Sequence, residues 1–185
     1  MKLIFGKILY HVKYYHSEFL DEYDSYLICP NHSRIFDVFY VFPLKYDADL
    51  CAMAKKELFK HWYFRIVAKY YHVIPIDRQG INVKSIMSAL KAFKENKKAK
   101  MIIFPEGKVI KEEKEIGTVF RRGATSIAKD VGIPIVPVYI SRRPKLFQTV
   151  EVIYGEPYFV EKETTGNVAK QLIEKIYELP KRKEG

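Results

Sequence analysis

Tyr26-Leu27-Ile28-Cys29-Pro30-Asn31-His32-Ser33-Arg34-Ile35-Phe36-Asp37 is the stretch from which the rest of the chain can be read. Its first four residues are an apolar run of strand composition, and Pro30 stops a helix from extending backward into them. A histidine exchanges a proton near neutral pH, and a carboxylate on its other ring nitrogen fixes the tautomer and stabilises the imidazolium. His32 and Asp37 are of the right types to make that pair. On one continuous helix their spacing turns them about 140° apart, so they meet only if His32 precedes a helix and Asp37 lies in its first turns. Asn31 and Ser33 are good helix-capping types, and residues 37–42 then read as a buried helix. Taken alone, the pair fits a loop histidine beside a dipole-favoured aspartate better than a catalytic dyad.

Outward from this stretch, strand-like and helix-like segments alternate. Residues 49–54 read as a strand closed by Lys55-Lys56-Glu57-Leu58-Phe59, residues 61–71 as an aromatic-rich helix, and Val73-Ile74-Pro75-Ile76 as a short strand ending in Asp77-Arg78. A helix capped by Asn82 carries Val83, Ile86, Leu90 and Phe93 on one stripe, and residues 101–104 follow as a buried strand. Phe104-Pro105-Glu106-Gly107 ends that strand in a tight turn, leaving Glu106 to project where open α/β sheets place their sites. Residues 111–115 read as a charged, mobile loop. A helix over 120–130, strands over 135–140 and 149–154, and an amphipathic helix over 165–179 complete the pattern. It predicts a single-domain α/β fold with a mixed sheet flanked by helices. Before it, Ile4, Phe5, Ile8, Leu9, Val12, Tyr15 and Phe19 share one helical face, predicting an N-terminal amphipathic helix that docks on the core or rests on a bilayer. The expected organisation is residues 1–25 as that helix and a turn, 26–157 as the core, and 158–185 as a helix and basic tail.

With 185 residues, 48% of them hydrophobic, the chain can bury a core as one domain without disulfides or metals. Cys29 and Cys51 lie in apolar segments, and no Cys/His spacing suits zinc, so both read as buried thiols. A net charge of +10 favours an anionic partner: nucleic acid, anionic membrane, or phosphorylated and CoA-like molecules. No RNP-like or helix-turn-helix pattern supports nucleic acid. No run approaches the roughly 20 apolar residues of a membrane span, and the N-terminus lacks a compact signal region, so the chain is expected to be neither integral nor secreted.

His32-x4-Asp37 after an apolar strand, followed much later by Phe104-Pro105-Glu106-Gly107, resembles the glycerolipid acyltransferase family that includes lysophosphatidic acid acyltransferase. The strand ending in Ala54-Lys55, the strand ending in Arg78, and Ile135-Val136-Pro137-Val138-Tyr139-Ile140 are similar to further blocks of that family, so the likeness spans residues 26–157. The resemblance implies transfer of an acyl group from acyl-CoA or acyl-acyl-carrier protein to a hydroxyl of a lysophospholipid or glycerol phosphate, foremost 1-acylglycerol-3-phosphate. It implies His32 as general base and Asp37 as its orienting partner. Lys55 and Arg78 are implied to face the acceptor's phosphate, and Glu106 and Gly107 to bind and shape around it, with no metal or redox cofactor. The chain departs from the family next. Where the family commonly continues Thr-Arg-Ser, this chain reads Lys108-Val109-Ile110; Val109 carries no charge, and Lys108, Arg121 or Arg122 would have to replace it. The expected setting is the cytoplasmic face of the cell membrane, held peripherally on an anionic surface. The alternatives are a non-catalytic lipid-binding protein of the same fold and a non-glycerolipid acceptor.

Overall fold

The computed structural model describes residues 11–34, 37–41, 49–70, 72–76, 83–142, 148–161 and 167–182. Among these, β1 (Val12–Tyr15), β2 (Tyr26–Pro30), β3 (Leu50–Lys55), β4 (Val73–Ile76), β5 (Lys100–Ile102), β6 (Ile135–Ile140) and β7 (Val150–Tyr154) form one sheet of order β1-β7-β6-β2-β5-β3-β4. The helices are α1 (Trp62–Tyr70), α2 (Val83–Glu95), α3 (Gly123–Val131) and α4 (Val168–Glu178). Strands β6, β2, β5, β3 and β4 run parallel, whereas β7 is antiparallel to β6 and β1 runs with β7. The mixed α/β sheet expected from the alternation is therefore present.

Alternation along the central strands splits the core in two. Leu27, Cys29, Met101, Ile103 and Ile135 face α2, α3 and α4, meeting Ala89, Phe93, Ala124, Ile127, Leu172 and Ile176. Tyr26, Ile28, Ile102, Val136, Val138 and Ile140 face the other way, onto Tyr40 and Val41. Every residue of β2 is buried, as a central parallel strand covered on both faces requires. Cys29 and Cys51 are free thiols, and burial raises the Cys29 pKa well above the ordinary thiol range.

Two expectations change. Residues 1–10 of the expected N-terminal helix lie outside the described residues, and Val12–Tyr15 form the edge strand β1, followed by a 3-10 turn over Ser17–Asp21. Val12, Tyr15 and Phe19 do fall at helical spacing. The segment VKYY, however, is β-branched and aromatic, and Val12 and Tyr14 alternate onto the core beside β7, the period of a strand. The buried helix expected over 37–42 is a single 3-10 turn, Asp37–Phe39, with residues 42–48 outside the described set. Tyr154 holds the end of this segment by donating its hydroxyl to the Val41 carbonyl.

Neighbouring strands β6, β2 and β5 deliver their C-terminal ends to one place. The chain leaves β2 toward β3 and leaves β5 in the opposite direction toward β6, so this is where the sheet's connections diverge, and in open α/β sheets such a crevice is where sites form.

Candidate active site

His32 and Asp37 meet. His32 Nδ1 lies 3.1 Å from Asp37 Oδ2. The same oxygen accepts the backbone N–H groups of Ser33 at 2.6 Å and Arg34 at 2.7 Å. Asp37 is 1% exposed, so its charge is balanced by three donors rather than by water. The expected arrangement, His32 ahead of a helical turn and Asp37 at its start, is the observed one. The capping roles differ: Asp37 itself ties down the loop, and Asn31 does something else. Its buried amide accepts from the Ile140 N–H at 2.6 Å and donates to the Ile140 carbonyl at 3.0 Å, clamping the end of β2 to the end of β6.

The imidazole ring stacks on Phe104, with centroids 4.0 Å apart. The His32 backbone is pinned from both sides: its carbonyl accepts from the Ile110 N–H at 2.7 Å, and its N–H donates to Glu106 Oε2 at 2.7 Å. Glu106 is thus not the projecting, substrate-facing residue expected. It is fully buried and its other oxygen accepts the Tyr177 hydroxyl at 2.7 Å. Two donors waiting behind the turn, one on α4, draw the side chain inward. Burial pushes the Glu106 carboxyl above its ordinary range, while the hydrogen bonds from Tyr177 and from the His32 N–H pull it back. Arg142 completes the support, reaching the Tyr177 oxygen at 3.3 Å and the Ile110 carbonyl at 3.4 Å.

In front of His32 lies a cavity of about 330 Å³ whose walls are mostly apolar, among them Val38, Met53, Leu58, Phe64, Ile76 and Val109. Lys55, Gly107, Lys108 and Arg121 also line it. Three of the expected site residues, Lys55, Gly107 and Lys108, therefore gather with His32, and Arg121 joins them. Arg78 and its neighbour Asp77 lie outside the described residues. Val109 forms apolar wall where the family pattern would place a cation.

Gly107 adopts φ +67°, and a Cβ there would lie 2.9 Å from Arg121 Cγ. The turn is closed by Gly107 N–H bonding to the Phe104 carbonyl, and Arg121 N–H bonds to the Pro105 carbonyl. Gly107→Ala is expected to cost about 1–2 kcal/mol through left-handed backbone strain and to push the guanidinium off the cavity wall. Urea unfolding reads the first effect and the acceptor KM the second; an unchanged KM would remove Arg121 from the binding machinery.

The segment expected to be a mobile charged loop is tied down. Glu115 accepts Lys108 Nζ at 2.6 Å and the backbone N–H groups of Lys111 and Glu112, closing a capping box on the 3-10 turn Glu113–Glu115. The Lys108 bond, with the backbone donors, holds the Glu115 carboxyl down to about 2. Lys108 is in this way held against the cavity.

Asn31, Tyr177 and Arg142 were missed as site residues. Asn31 is signalled in the sequence only as a capping type, and Tyr177 lies 71 positions from Glu106, beyond any local pattern.

A family model described as Acyltransferase matches residues 11–141. The 1-acyl-sn-glycerol-3-phosphate acyltransferase of Bacillus subtilis (strain 168) is 29% identical over 180 residues, spanning 91% of this chain and 87% of the relative. The crystal structure of the 1-acyl-sn-glycerophosphate (LPA) acyltransferase PlsC from Thermotoga maritima has the same fold, with a TM-score of 0.66 at 20% identity over 95% of this chain and 72% of that one. With the family match running from the start of β1 through the end of β6, and so taking in His32, Asp37 and the turn at 104–107, the chain belongs to the acyltransferase family.

Proposed function

We propose that the protein transfers a fatty acyl group from acyl-CoA or acyl-acyl-carrier protein to the free hydroxyl of 1-acylglycerol-3-phosphate, giving phosphatidic acid. The observation that carries this reading is the His32–Asp37 pair at 3.1 Å on the wall of an apolar cavity that Lys55, Lys108 and Arg121 also line. An apolar volume suits acyl chain, and the cations suit the phosphate. The similarity to the Bacillus subtilis enzyme supports the choice of acceptor.

With Nδ1 committed to Asp37, His32 Nε2 takes the proton of the acceptor hydroxyl as its oxygen attacks the thioester carbonyl. The tetrahedral intermediate places negative charge on the carbonyl oxygen, which nearby backbone N–H groups stabilise. Collapse breaks the C–S bond, and the imidazolium returns its proton to the departing thiolate. Asp37 holds the imidazolium through its contact with Nδ1. The step moves one proton out and back, and it calls on neither a metal nor a redox cofactor. Lys55, Lys108 and Arg121 hold the acceptor's phosphate, joined by Arg78. Glu106 supports the His32 backbone and touches no substrate; Gly107 lets Arg121 close over the turn.

The setting proposed is peripheral, on an anionic membrane at the cytoplasmic face of the cell. Among the described residues, no helix is long and apolar enough to cross a membrane. The test is transfer of labelled acyl groups from both donor types to lysophosphatidic acid, other lysophospholipids and glycerol 3-phosphate, with His32→Ala alongside. Histidine-dependent phosphatidic acid is expected. Product formed only with a different acceptor would overturn the assignment of 1-acylglycerol-3-phosphate, and product independent of His32 would overturn the mechanism.

A further inference from the structure

Helix α1 has two faces of different use. Phe64 lines the cavity with Leu58 from the preceding 3-10 turn. Trp62 and Ile66, one helical turn apart, face outward: Trp62 is 75% exposed and Ile66 47%. Around them the exposed residues, among those whose exposure is described, are basic, namely Lys60, His61, Arg65 and Lys69. Helix α2 repeats the pattern. Val83 and Met87, again one turn apart, are 78% and 60% exposed, with exposed Lys84 and Lys91 on the same helix.

Both helices pack against the edge strand β4. Each starts from the C-terminal side of the parallel strand before it, β3 for α1 and β4 for α2. That is the side where Lys55 and Ile76 line the cavity. The two apolar pairs therefore border the same end of the molecule as the site. Elsewhere on the surface, the exposed Tyr23 and Phe159 meet edge to face at 5.6 Å.

Exposed apolar residues spaced along helix faces and interleaved with cations, with tryptophan among them, are the composition of helices that lie in a bilayer interface. Charge argues against a second copy of this chain as occupant, because two such basic faces would repel each other at a net charge of +10 each. It favours an anionic layer, which meets the lysines and arginines while its acyl region takes the apolar side chains.

We propose that Trp62 and Ile66 of α1, with Val83 and Met87 of α2, enter the surface layer of an anionic phospholipid bilayer. Arg65, Lys69, Lys84 and Lys91 engage the lipid phosphates. The cavity mouth is thereby set against the layer that holds the acceptor. That last consequence rests on the acyl-transfer reading; the binding itself does not.

The chain contains one tryptophan, so its fluorescence reports this surface alone. The full chain is titrated with vesicles of phosphatidylcholine, and with vesicles in which part of it is replaced by phosphatidylglycerol. A blue shift of Trp62 emission with the anionic vesicles, quenched by lipids brominated on the acyl chain and weakened by salt, is expected. The Trp62→Ser/Ile66→Ser and Arg65→Glu/Lys69→Glu variants should each lose vesicle cosedimentation about tenfold while transferring acyl groups to a short-chain, monomeric acceptor at the unaltered rate. Emission that does not move on anionic vesicles overturns the proposal. So does a shift that follows protein concentration without vesicles, which indicates self-association, or one produced only by acidic carrier protein. His32→Ala should bind vesicles as the unaltered chain does. Binding without acyl transfer in any assay would sink the enzymatic reading and leave the surface standing.

Discussion

His32→Ala is expected to lower the turnover number about a thousandfold, equivalent to about 4 kcal/mol of lost transition-state stabilisation, with KM for the acceptor nearly unchanged. Among the described residues that line the cavity, His32 and Glu57 are the two that could take the hydroxyl proton, the rest being apolar or cationic, and His32 is the one oriented by a carboxylate, 3.1 Å from Asp37 Oδ2. The imidazole ring also rests on Phe104, so its removal leaves a hole beside the cavity and takes one donor from Asp37, but the Ser33 and Arg34 N–H groups still satisfy that carboxylate, and the fold should persist. Asp37 requires a more careful substitution. Asp37→Ala would strand the Ser33 and Arg34 N–H groups, which now bond to Oδ2 at 2.6 and 2.7 Å, at about 1–3 kcal/mol for each buried donor so orphaned. That loss confounds folding with chemistry. Asp37→Asn keeps an oxygen for the two N–H groups but removes the charge beside the imidazolium, so it should lower turnover by about 10² to 10³ with a much smaller loss of stability. Circular dichroism and single-turnover acyl transfer on the three variants separate the effects. Wild-type turnover in Asp37→Asn would show that His32 needs no anionic partner.

How much of this was legible in the chain depends on distance along it. Strand and helix types followed from local composition. The meeting of His32 and Asp37 was legible from two residues, a spacing and a proline, because the hydrogen bonds that join them lie within eight positions. The errors came where two periods fitted the same residues or where a partner lay far away. Val12, Tyr15 and Phe19 satisfy a helical repeat, while Val12 and Tyr14 satisfy a strand repeat; β7, more than 130 residues later, decides for the strand. Residues 111–115 look solvated because their charges are all that the sequence displays, and the use of Glu115 as a backbone cap appears only once the turn is built. Glu106 was placed by its position at a strand end. Which way it turns is set by donors at His32 and Tyr177, 74 and 71 positions away.

Glu106 is accordingly where the second large effect is expected. Glu106→Ala removes the acceptor of the His32 N–H and of the Tyr177 hydroxyl together, and opens a void behind the turn. Its cost should be about 3–5 kcal/mol of stability, and the loosened His32 backbone should lower turnover about a hundredfold, the loss that follows when a reacting group drifts by an ångström. Because so large a stability loss obscures the kinetic one, Tyr177→Phe is the sharper probe. Burial raises the Glu106 pKa, and the Tyr177 hydroxyl opposes that rise. A carboxyl whose folded pKa lies above its unfolded value contributes stability that is present below the unfolded pKa and is lost as pH rises through the folded one. Removing the hydroxyl raises the folded pKa further and deepens that loss. Tyr177→Phe should therefore destabilise by about 2 kcal/mol at a pH above the folded pKa of Glu106, where an ionised carboxylate loses a charged hydrogen bond, and by about 1 kcal/mol or less at a pH below it, where a neutral bond is lost. Turnover should fall about tenfold at the higher pH with acceptor KM unchanged, and in a Glu106→Gln background the same substitution should change turnover by less than about twofold. Urea unfolding at the two pH values and a double-mutant kinetic cycle read these outcomes. Equal destabilisation at both pH values, with turnover intact, would reduce Tyr177 to a packing residue of α4 and leave His32 positioned by Asp37, Phe104 and Ile110 alone.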